Sequence, residues 1–177
     1  MSCGTSLSTG IEEVDCMDGV GGLLEVGLTE KRNITSITRT GQQVTAIDMA
    51  SGKQFFVFAI DQEKAFMTSV MTKNVPNGTT PWVHTLQSTW RKMSVTKSNL
   101  IKILAAQPGL CALVKDNNGN YFLMGYNIGG HITTVTGQTG TAVGDANGYD
   151  WTFVANDKED VLYVDSSIIA DLYEPAS

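Results

Sequence analysis

LIKILAAQPGLCALVKDNNGNYFLMGYNIGGHITTVTGQTGTAVGDANGYDWTF, residues Leu100 to Phe153, sets a short helix, a tight hairpin and a glycine-rich loop in immediate succession. Leu110–Lys115 and Tyr121–Tyr126 flank Asp116-Asn117-Asn118-Gly119, and asparagine and glycine tolerate the positive φ that a hairpin turn needs. Before it, Thr96-Lys97-Ser98-Asn99 offers several N-caps to a helix over Leu100–Ala106, ended by Pro108-Gly109. Leu100, Ile103 and Leu104 give that helix one apolar stripe, suited to packing across the open side of a curved sheet. After the hairpin, Ile132–Val135 reads as a strand, and Gly137, Gly140, Gly144 and Gly148 punctuate a loop into the strand Trp151–Val154. Asp160–Val164 and Ser167–Leu172 complete the run of strands.

Toward the N-terminus the period is two. Leu24, Val26 and Leu28 alternate with small or polar residues, and Ile34 and Ile37 follow in a Thr/Ser-rich run. Val44–Asp48 and, past a Ser51-Gly52 turn, Gln54–Phe58 extend this into a meander of closely spaced strands. In the segment 61–93, Pro76-Asn77-Gly78 is a strong turn signal between Met67–Thr72 and Trp82–Trp90, which predicts a long hairpin that protrudes. Trp82, His84, Leu86 and Trp90 share one face of its second strand, either an adhesive face or a buried one. Residues 1–22, rich in Gly, Ser and Thr, read as an irregular arm that flaps or clasps a neighbour. The expected fold class is β-dominated (α+β): an antiparallel β-sandwich or barrel with one flanking α-helix, in a single domain spanning 1–177.

Composition narrows the function. The chain has 177 residues, 42% hydrophobic and 17% charged, enough for one real core. A net charge of −6 lacks the cationic excess of a phosphate-binding face, so tight nucleic-acid binding is disfavoured. Cys3, Cys16 and Cys111 are an odd set without CxxC spacing, which implies a reducing compartment. Cys3 and Cys16 are two free thiols in the arm or a bridge across it, and Cys111 reads as a small core residue. The N-terminus carries no basic segment followed by an apolar run, so a soluble, cytoplasmically made protein is expected.

Chemical signatures are sparse. The two histidines are His84 and His131, and a Cys111–His131 pair has no nucleophile-elbow or oxyanion-loop context around it. Asp145, Asp150, Asp157, Glu159 and Asp160 suggest calcium or paired carboxylates, but Asp145-Ala146-Asn147-Gly148 is a fragment of a calcium loop with no bidentate glutamate at the needed offset. A turn held by Asx side chains is the preferred reading there. The glycines of 137–148 precede no Walker lysine and no helix, so the phosphate-loop reading fails. No catalytic residue, metal site or cofactor is expected.

The layout Gly137-Gln138-Thr139-Gly140, Gly144-Asp145, Asn147-Gly148-Tyr149 and Trp151-Thr152-Phe153 resembles the C-terminal part of small virion proteins from crAss-like tailed phages. Cys3-Gly4, Gly10-Ile11, Asp15-Cys16, Gly21-Gly22 and the strand–Ser51-Gly52-Lys53–aromatic strand resemble the opening of the same proteins; the segment 61–93 has no match there. The resemblance implies a tail-tube-like fold assembled into cyclic rings, in a tail tube or collar, that form a conduit for DNA. It implies a virion protein assembled in the bacterial host cytoplasm, with partners among copies of itself and other tail or collar proteins, DNA passing without specific binding, and no membrane. Cys3, Gly4, Ile11, Trp82, Trp90, Gly137, Gly140, Asp145, Asn147 and Tyr149 are the candidate subunit-interface residues. The rival is a β-sandwich module for carbohydrate or receptor, with Trp82, Trp90 and Tyr149 stacking on sugar faces.

Overall fold

The computed structural model describes residues 10–11, 19–61 and 63–173. It is strand-dominated. β1 (Leu23–Glu30) and a 3₁₀ turn (Lys31–Asn33) lead into the hairpin of β2 (Ile34–Thr40) and β3 (Gln43–Met49). Then come β4 (Phe56–Phe58), β5 (Phe66–Met71), β6 (Trp82–Arg91) and α1 (Val95–Ala105). The hairpin of β7 (Leu110–Asp116) and β8 (Tyr121–Met124) follows, then β9 (Gly130–Gln138), β10 (Gly148–Asp157), β11 (Leu162–Val164) and a short α2 (Ile169–Leu172).

β7 is the hub. It pairs with β1 over most of its length and with β8 on its other side, while a single Leu110↔Gly130 link carries the sheet round into β9. On one side of that corner lie β4, β1, β7, β8, β11, β3 and β2; on the other lie β9, β10, β6 and β5. Alternation along β7 shows why both layers are needed. Leu110, Ala112 and Val114 join one core with Leu86, Trp90, Trp151 and Phe153 from β6 and β10. Cys111 and Leu113 face a second core, closed by Phe55, Ile169 and Leu172. Within the first, Trp90 lies between Phe58 and Trp151, with ring centroids 5.7 and 5.2 Å away, contacts worth about 0.5–1.5 kcal/mol each beyond area burial.

Several local expectations change with tertiary context. A bulge between Leu23 and Glu25 shifts the parity of β1, so Leu23 enters the core and Leu24 stays 49% exposed. The expected meander breaks after β3: β4 pairs with β1, and the neighbour of β3 is β11, which runs parallel to it. β11 fills the gap between β3 and β8, antiparallel to β8, which fixes its direction against β3. Helix α1 begins earlier than expected because the Ser94 side chain accepts from Lys97 N, and Ile103 stays exposed while Leu104 is buried. The expected strand Ser167–Leu172 is instead a 3₁₀ turn running into α2, with Asp165 capping through Ser167 N. The hairpin of 61–93 is present as β5 and β6, but most of it is the margin of the sheet, and residues 72–81 beyond the last strand pair form its overhang. Among the described residues no helix is long and apolar enough to cross a membrane.

Candidate subunit-interface surface

Five of the candidate residues meet at one end of the β9–β10 hairpin. Asp145 closes the loop by accepting from Thr141 N and Ala142 N, both at 2.7 Å. Those bonds, from Ala142 and then Thr141, hold its carboxyl below the ordinary range. The sequence predicts a turn held by Asx side chains here, and the bonds of Asp145 run back to residues three and four before it instead of to the residue two ahead. Gly140, at φ +70°, sits so close that a Cβ on it would fall 2.3 Å from that of Asp145. Asn147 ties the loop to the exit of β6: its Oδ1 accepts from Met93 N at 2.9 Å and its carbonyl from Lys92 N at 2.6 Å. Gly148 lies where any Cβ would meet the Trp90 carbonyl oxygen at 2.1 Å, and Gly137 packs under the Tyr149 ring. Gly137, Gly140, Asp145 and Asn147 are exposed and Tyr149 is half-buried. A pocket of about 530 Å³ there is lined by Asp145, Asn147 and Gly148 with Lys64, Arg91 and Lys92.

The tryptophans do not join this patch. Trp90 is buried in the first core, 6% exposed, which removes it from the surface both as an interface residue and as a sugar platform. Its face of β6 points inward because β10 pairs along the whole strand and aligns Leu86 with Phe153 and Ser88 with Trp151. Half-buried Trp82 pairs with Asp157 at the far end of the strand, about 30 Å from Arg91 at the rise of an extended chain. Ile11 is fully exposed, while Cys3, Gly4 and Cys16 lie outside the described residues.

Between the two ends runs the outer edge of β5, which pairs with β6 alone among the described strands. Phe66, Val70 and Met71 are each about half exposed along it. Sequence reasoning placed this strand but did not select these residues; their signal was an apolar run in the outer arm of a hairpin. β2 and β4 are also paired on one side only, and Phe56 and Val57 of β4 are exposed. Long unpaired edges with apolar side chains are templates for another chain.

Cys111 is where the sequence put it. Burial pushes its thiol up to about 12, and Sγ donates to the Gly125 carbonyl at 3.2 Å, so it is no ready thiolate. His131 is exposed on β9. Of the carboxylates, Asp157 and Glu159 are bridged by Asn127 Nδ2, at 2.7 and 3.1 Å, and Glu159 pairs with Arg39 at 2.7 Å. Among the described residues no group of three or more His, Cys, Asp and Glu is arranged to hold a metal ion.

Compared with protein-family models, curated proteins and solved structures, the chain returned no match.

Proposed function

We propose that this chain is a virion structural protein, a subunit of a ring in the tail tube or collar of a crAss-like phage. The observation that carries this reading is the apolar outer edge of β5, with Phe66, Val70 and Met71 exposed on a strand paired on one side. A second edge at β2, at the other end of the strand order, gives each subunit two different margins. Contacts between unlike margins are heterologous, and they close into a ring when the rotation between neighbours divides the circle. The net charge of −6 suits a conduit whose lining repels the phosphates of passing DNA.

Electron micrographs of the purified full chain test this, with Val70→Lys as the paired variant. The wild type is expected to show closed rings, and the variant, with a charge on the exposed edge and a folded circular-dichroism spectrum, dispersed subunits. Dispersed wild-type particles, or rings unchanged by the substitution, would contradict the reading.

A further inference from the structure

His84 stands opposite Ser69 of β5 and Ala155 of β10, in the middle of three paired strands, and is 1% exposed. Neither ring nitrogen has a hydrogen-bond partner among the described residues. Burying an imidazole costs stability unless its nitrogens find partners. The charged groups that face it are Asp157 from β10 and Asp160 from the turn after β10, where the Glu159 carbonyl also lies close. Glu159 itself is engaged by Arg39 and Asn127, and β5 contributes uncharged Ser69. Asp160 in turn holds β5: its Oδ1 accepts from Ser69 Oγ at 2.5 Å and from Val161 N at 2.8 Å. That bond ties the β10–β11 turn to the edge strand.

We propose that His84 is an acid-responsive latch, whose protonation draws Asp160 from Ser69 and frees the β5 edge of the sheet. The step is a proton taken from solvent by one imidazole nitrogen. The resulting cation, held out of water, needs an anion, and the Asp160 carboxylate is placed on its side of the sheet through Ser69, the residue paired with His84. Both carboxylates are hydrogen-bonded, Asp157 to Asn127 Nδ2 and Lys158 N, but of the two Asp160 is the one bonded to the edge strand, through Ser69, so its movement is the one that bears on β5. Its swing leaves Ser69 without that bond and lets water under a strand that, among the described strands, pairs with β6 alone.

The sign follows from linkage. Burial lowers the His84 pKa below its ordinary value, with Asp157 and Asp160 opposing. The closed state therefore binds fewer protons than the open one, and its stability, complete above about pH 6.5, declines as pH falls from there. A single coupled proton gives up to about a tenfold rise in the opening constant per pH unit. The latch lies within one chain, and it is read also on dispersed Val70→Lys subunits, whose β5 edge no neighbour covers, so that its failure and that of ring assembly are told apart.

Amide hydrogen exchange of the full chain, corrected for intrinsic rates, between about pH 7.5 and about pH 5, tests it alongside His84→Phe. In the wild type the β5 amides are expected to open about tenfold more per pH unit below about pH 6.5, with β7 and β8 unmoved, and the variant is expected to be flat. A flat wild type, or the same slope in the variant, would overturn the latch. Should the variant fail to fold, the wild-type His84 ring resonance decides, with exposed His131 as the second histidine signal. A His84 ring that stays unprotonated, or titrates only in step with β5 opening, while that opening rises below about pH 6.5 sustains the proposal; His84 titrating with no change in β5 opening, or β5 opening flat over the range, overturns it.

Discussion

At the scale of single residues, the glycines divide into those that turn the chain and those that leave room. Gly148 belongs to the second kind: a Cβ there would lie 2.1 Å from a backbone oxygen of β6, which no side-chain rotation relieves. Gly148→Ala is therefore expected to cost about 1–3 kcal/mol, read as a lower midpoint in denaturant unfolding. An unchanged midpoint would mean that β6 and β10 are not in register there. Gly130 makes the same point at the corner, where a Cβ would fall 2.2 Å from the Phe153 ring, and Gly27 does so beneath Tyr173. The sequence announced these positions as glycine without saying why. Turn glycines such as Gly119 were readable from the Asp-Asn-Asn run beside them, whereas close approach involves residues far away in the chain.

Elements whose determinants are local were the legible ones. The β7–β8 turn is fixed by Asp116, whose carboxylate accepts from the backbone and side chains of Asn118 and Asn120. Burial pushes the Asp116 pKa up, yet those hydrogen bonds outweigh it and hold it below the ordinary value. Its stabilising contribution is thus complete above the unfolded-chain value near pH 3.9 and is lost as pH falls through the folded one. Asp116→Ala is expected to flatten the acid side of the stability profile between about pH 5 and about pH 2.5, followed by denaturant midpoints. An acid slope identical to wild type would show that the turn draws nothing from this carboxylate. The β5–β6 hairpin was legible through Pro76-Asn77-Gly78 for the same reason. By contrast, β4 on β1, β11 beside β3 and the helical end at Ile169–Leu172 answer to partners distant in sequence, which periodicity does not encode. Of the candidate surface, the β9–β10 loop was found through its glycines. Trp90 was misplaced because an aromatic stripe has the same period on a buried face as on an exposed one.

For the whole molecule, two layers meet at the Leu110–Gly130 corner and bury two cores, leaving β2, β4 and β5 with margins unpaired among the described residues. A monomer with such margins is expected to protect them with charge or cover, and β5 instead presents Phe66, Val70 and Met71. The central claim is that these margins join copies of the same chain. Size-exclusion chromatography with light scattering on the purified full chain measures this directly. The account predicts one discrete species whose mass is a whole-number multiple, of three or more, of the 19.0 kDa chain. A monodisperse 19.0 kDa particle that persists at high protein concentration would contradict it.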